Sequence, residues 1–173
     1  MEKQVTTPSV KGLIIALALV IFAVIITVMQ QESNRSLTII PMVVMLGGIV
    51  WACLSFSKQM DGNVTFGNVF SHGFKTSAIV AAIMGLYVAL SLTVLFPESL
   101  DRAMELQRLE MIKKGVSDSD VDKYMTMGRK MALPMGTIFS VIIYLVVGAI
   151  SALLGASVAK KNPNPVMQDQ LGN

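Results

Sequence analysis

Four long apolar runs divide the chain, at residues 12–29, 37–57, 76–96 and 135–159, and none contains Asp, Glu, Lys, Arg or His. About 20 helical residues cross a hydrocarbon core of about 30 Å, so each run is long enough to span a bilayer. A span must satisfy its own peptide groups, and the strict alternation of a barrel strand is absent, so helices are predicted. The expected fold is all-α, a four-helix transmembrane bundle forming a single integral membrane domain over residues 1–173. The first run has a basic start (Lys3, Lys11) but no small-x-small site where it closes on Thr27-Val28-Met29, so a retained anchor is expected rather than a cleaved leader.

The two longer connections carry helical patterns of their own. After Asp61-Gly62-Asn63, Thr65 is placed to cap a helix over residues 65–75 with Phe66, Phe70 and Phe74 on one face. Such an aromatic face suits the headgroup region, so an interfacial helix is expected before span three. The connection from Pro97 to Pro134 reads as a helical hairpin over residues 98–133. Good helix formers run to Lys114, Gly115 ends the first helix, and Ser117 with Asp120 opens the second. Val121, Tyr124, Met125, Gly128 and Ala132 follow at helical spacing as an apolar packing face, and Pro134 opens span four.

Composition supports the membrane reading: 53% of residues are hydrophobic, 14% are charged and the mean hydropathy is +0.64. A soluble domain carries about 25% charged residues, so a soluble enzyme, a coiled coil or a disordered chain is excluded. Of the 25 charges, 14 lie between Glu98 and Lys130, seven of each sign. Lys11, Lys58, Lys75, Lys160 and Lys161 flank the spans on one side, which the positive-inside rule assigns to the cytoplasm. Raw counts of basic residues, 6 on that side and 8 on the other (Arg35 plus the hairpin), point the opposite way. The flanking lysines weigh more, because the hairpin's charges are balanced in sequence. N-in, C-in with an extracytoplasmic hairpin is therefore expected.

Helices in lipid associate by close approach, and small residues permit it. Span two offers Gly48 and Ala52; span three Ala81, Gly85 and Ala89; span four Gly148, Ala152 and Ala156, with Ser151, Gly155 and Ala159 as a second stripe. These are the candidate helix-packing residues, and intrachain packing is preferred to a homo-oligomer sharing the same faces. Cys53, the only cysteine, is expected to behave as a small buried hydrophobe.

Asp61-Gly-x-x-Thr-Phe-Gly-x-x-Phe-x-x-Gly-Phe74, followed by a hairpin reading Met111-Ile-Lys-Lys-Gly-Val-Ser117 and ending Met131-Ala-Leu-Pro134, forms a combined signature within four spans. In this order and over roughly residues 10–161, the chain resembles the bacterial "domain of unknown function 4199" membrane family. The resemblance implies a bacterial inner-membrane location and a four-span topology. It implies no activity and assigns no functional residues.

Candidate chemistry is sparse. His72, the only histidine, is expected to be solvated at the membrane surface, with no companion ligand. Asp118-x-Asp120-x-Asp122 has Lys123 and Arg129 where a calcium loop requires Gly and Glu, so helix capping is its expected role and no metal is called. The spans offer hydroxyls and one thiol without a base, so no enzyme activity, catalytic residue or cofactor is expected. Carriers that move ions usually declare an intramembrane charge, and the spans have none. The expected function is a non-enzymatic accessory or scaffold module in the bilayer that binds other membrane proteins or itself. The alternative is a small passive transporter or lipid-handling protein acting as an oligomer. Nucleic acid is not expected as a partner: the net charge is only +3, and the lysines suit anionic headgroups.

Overall fold

The computed structural model describes residues 5–31 and 34–162, without the side chains of residues 35 and 38; Lys3 lies outside the described residues. Among them every regular element is helical: α1 Pro8–Val28, α2 Arg35–Gln59, α3 Phe66–Leu90, a π-helical turn Ser91–Leu95, α4 Pro97–Lys113 and α5 Asp118–Val158. Four helical segments are long and apolar enough to cross a membrane, beginning at Pro8, Ile39, Phe66 and Asp118. The chain is thus read as a multi-pass membrane protein.

The ends of the helices follow local chemistry. Thr7 caps α1 through Val10 N–H at 3.4 Å, with Pro8 in the first turn, where its missing donor costs nothing. Asn34 caps α2 through Ser36 N–H, and the Thr65 hydroxyl accepts from Asn68 N–H. α2 and α4 both end with paired bonds that reach back over the last turn: Gly62 N–H to Ser57 O, and Val116 N–H to Met111 O. Gly115 takes φ +78° there, a left-handed conformation that side chains resist.

Two helices outrun the expected boundaries. α3 is continuous from Phe66, with no break between the aromatic segment and the apolar run that follows. α5 runs for 41 residues straight through Pro134, which stands inside the helix rather than at the head of a span. The expected boundary rested on the missing proline donor. One absent bond is tolerated when the flanking turns remain helical.

The chain forms two compact units. The first comprises residues up to Met84 and from Ile142 onward; it holds α1, α2, most of α3 and the last part of α5. Its interior mixes small and large side chains: Ala16, Ala52, Cys53, Ala152, Ala156, Ser77 and Ser151 are fully buried, and so are Leu19, Met45 and Ile49. Its outside is large and apolar: Leu13, Leu17 and Val43 are each more than half exposed. Water would penalise that surface, and lipid accepts it.

Close approach is concentrated at glycines. Cys53 of α2 fits between Gly73 of α3 and Gly155 of α5; a Cβ at Gly155 would stand 2.7 Å from the Cys53 Cβ. A Cβ on Gly148 would fall on the Ser77 side chain. Gly12 of α1 faces Ile79, and Gly48 of α2 faces Ile15.

The second unit, Gly85–Val141, contains α4 and the first part of α5 as an antiparallel helical hairpin. Arg129 pairs with Asp101 at 2.7 Å and Arg108 with Asp122 at 4.0 Å, seven residues down α4 matching seven back along α5. Exposed pairs of this kind contribute little energy, roughly 0.2–1 kcal/mol each, but both agree on one register. At the head of α5 the Ser117 hydroxyl donates to Asp120 Oδ2 at 2.8 Å and accepts weakly from Asp120 N–H. Val121 is buried, whereas Tyr124, expected on the packed face, is 60% exposed.

Gly148→Ala is expected to destabilise the protein by about 1–3 kcal/mol, because its methyl meets the Ser77 Cβ rather than a movable chain end. Gly47, with open space around it, should accept alanine at no cost or with a small gain. Thermal unfolding in one detergent compares the two variants.

Candidate functional site

Two places concentrate chemistry, one in each unit. The first is the lysine-bearing end of the four-helix unit. Gln59 at the end of α2 holds the start of α1: its Oε1 accepts from Thr6 N–H at 2.8 Å and its Nε2 donates to Thr6 Oγ1 at 3.0 Å. Asn162 N–H donates to Gly62 O at 2.7 Å, tying the residue past α5 to the turn after α2. Lys11, Lys58, Lys75, Lys160 and Lys161 therefore share one end of this unit, with Asp61 as the only acid among its described residues there.

These lysines differ in kind. Lys11 is not a headgroup lysine: it is 1% exposed. Its Nζ donates to Ala52 O at 3.3 Å and stands 6.0 Å from the Phe56 ring. No carboxylate accompanies it among the described residues. His72 is also buried, contrary to the surface position expected, and its ring stacks on Phe56 at 4.2 Å. Its Nε2 has no hydrogen-bond partner among the described residues. Lys161 instead reaches back along α5, donating to Ala156 O and Ser157 O, with its Nζ 5.6 Å above Phe66.

The sequence holds the signals that place Lys11 and His72. Gly12 and Ala16 form a small pair in α1, and the face they share carries Lys11, Ile15 and Leu19 inward. His72 lies on the stripe Val69, Gly73, Thr76, Val80, which packs inward. The Phe66, Phe70 and Phe74 ladder, with rings 6.4 and 5.9 Å apart, marks another face of α3. Phe66 and Phe74 are exposed and Phe70 is half-buried.

The small residues singled out in the sequence are distributed as follows. Ala52, Ala81, Gly85, Gly148, Ala152 and Ala156 are buried; Gly48 and Ala89 are half-buried. The hydroxyls of Thr76, Ser77 and Ser151 donate to carbonyls of their own helices, at 2.7–2.8 Å. No group of three His, Cys, Asp or Glu able to hold a metal ion occurs among the described residues.

The second place is the hairpin, whose two sides contrast. One side is a polar cleft of about 500 Å³ lined by the Asp101–Arg129 and Arg108–Asp122 pairs. Another is a methionine-rich groove of about 370 Å³. Tyr124, Met127, Met131 and Met135 form one wall along α5, and Gln107 and Met111 of α4 form the other. The four α5 side chains are each 45–60% exposed. Sequence reading found the hairpin but not this stripe, which starts at Tyr124 and continues through three methionines at helical spacing.

Residues 11–161 match the family described as "Protein of unknown function (DUF4199)". The chain belongs to the DUF4199 family. Within this DUF4199 chain the match takes in all of the lysine-bearing end from Lys11 onward, together with the whole hairpin. No curated protein and no solved structure matches it.

Lys11 is buried with no acidic partner among the described residues, so Lys11→Met should leave the melting temperature unchanged or raise it, by a gain on the order of 1 kcal/mol. Lys11→Ala, which also removes the packed stem, should cost about 2 kcal/mol. A clear fall in melting temperature for the methionine variant would show that the carbonyl and ring contacts outweigh the cost of burying the ammonium.

Proposed function

We propose that this chain is a non-enzymatic accessory or scaffold protein of a bacterial inner membrane, which holds another membrane protein against its helical hairpin. The observation that carries this reading is the methionine-rich groove along Tyr124, Met127, Met131 and Met135. Methionine side chains are flexible and polarisable, and they adapt to apolar helices of differing shape. An exposed apolar stripe beside a charged face also fits a partner helix that enters the membrane alongside it. The small-residue faces are occupied by the chain's own helices, since Ala52, Ala152 and Ala156 have no exposed area. Partner binding therefore falls to the hairpin.

In this reading the lysine-bearing end faces the cytoplasm, with both termini inside and the hairpin outside. Five lysines against one aspartate among the described residues at that end support this orientation. Alkaline phosphatase inserted at Gly115 should be active and a fusion after Asn162 inactive; the reverse pattern would overturn the orientation.

A photo-crosslinking residue at Met127 or Met131 is expected to capture one membrane polypeptide in fixed ratio, and the same residue at Leu153 to capture none. Met127→Glu with Met131→Glu should abolish a crosslink made from Tyr124 while leaving insertion intact. Crosslinks to lipid alone from both methionine positions would sink the scaffold reading.

A further inference from the structure

A cleft of about 610 Å³ opens at the lysine-bearing end, between the ends of α2 and α5. Trp51, Leu54, Ser55 and Lys58 line it at i, i+3, i+4 and i+7 of α2, and Val158 and Lys160 face them from α5 and the residues just beyond it. Its floor and its mouth differ in chemistry. Trp51, 49% exposed, and Val158, 66% exposed, offer apolar surface, while Lys58 and Lys160, both exposed, line the cleft near the ends of α2 and α5. Trp51 lies seven residues, or about 10 Å of helix, deeper than Lys58.

The walls are fixed rather than fortuitous. The Ser57 hydroxyl donates to Lys160 O, and Asn162 N–H donates to Gly62 O, so the strand of chain leaving α5 is held against the end of α2. The lysines of this end are also sorted by role. Lys11 is buried and Lys161 is spent on the carbonyls of α5. Lys58 and Lys160 are exposed and make no ion pair among the described residues. Gln59, beside them, is engaged with Thr6 and Ser55.

We propose that this cleft binds one anionic phospholipid, its phosphate between Lys58 and Lys160 and an acyl chain along Leu54, Val158 and Trp51. Two cations at the rim of an apolar wall match a molecule that is negative at one end and hydrocarbon below. A free phosphate would leave the apolar floor empty, and a zwitterionic lipid brings a cation of its own that offsets the attraction of its phosphate to the two lysines. Each lysine near a membrane surface favours an anionic lipid by up to roughly five-fold, so two should enrich it by several-fold to about 25-fold over a zwitterionic one.

Trp51 is the only tryptophan of the chain, so its fluorescence reports this cleft alone. The full chain is reconstituted in vesicles of phosphatidylcholine containing an increasing fraction of either dibromo-phosphatidylglycerol or dibromo-phosphatidylcholine. Quenching should saturate at a several-fold lower fraction of the anionic lipid. Lys58→Gln with Lys160→Gln should equalise the two lipids, and Lys58→Arg with Lys160→Arg should preserve the preference. Equal quenching of the unaltered protein by both lipids would overturn the proposal, as would a preference that survives the glutamine pair. Trp51 shielded from both lipids would overturn it too, showing that a second polypeptide covers the cleft.

Discussion

The four-helix unit depends on how closely its helices approach one another at Cys53. Hydrocarbon gives helices no reason to exclude it, so their association rests on dispersion contacts that fall away within fractions of an ångström. Cys53 lodges between Gly73 and Gly155, and Ser77 lodges against Gly148. At each place a side chain of two heavy atoms fills a space that a glycine leaves open. The contacts at these glycines are close for this reason, and Leu19, Met45 and Ile49 fill the interior elsewhere, while Leu13, Leu17 and Val43 turn outward.

Within so tight an interior, Lys11 and His72 are the costly residues. Burying an ammonium without an anion is unfavourable, and here the compensation comes from a helix carbonyl and from the face of Phe56. Phe56 serves both groups, since it also stacks on His72. The Lys11 bond to Ala52 lies seven residues along α2 from Gln59, which holds Thr6 where α1 begins. Elsewhere the interior is apolar, with Leu19, Met45, Ile49 and Val80 buried, or polar through a serine bonded to its own helix. The hairpin follows a different logic, with register set by charge pairs on one side and adaptable apolar surface on another.

Much of this was legible in the sequence. The four apolar runs, the caps at Thr65 and Ser117 and the turn at Gly115 all correspond to features of the structure. These are local signals, set by residue type and by spacing along one helix. Two kinds of information were not local. Whether Lys11 points inward depends on the helices opposite Gly12 and Ile15, and a charge at a span end reads as superficial until that face is known. Helix continuity through Pro134 and through residues 75–76 depends on neighbouring turns that sequence punctuation does not weigh. The methionine stripe escaped notice because its members also fit a packed face; only their exposure separates the two uses.

The four-helix unit is interrupted in sequence, since the hairpin unit lies between its third and fourth helical segments. The bond from Ser57 to Lys160 joins positions 103 residues apart. During synthesis the first three helices must therefore enter the bilayer and wait, with the faces of Cys53, Gly73 and Ser77 unfilled, until the end of α5 emerges. Contacts of such long sequence separation form late and slowly. In that interval the unfinished unit presents a groove lined by small residues, open to any passing helix.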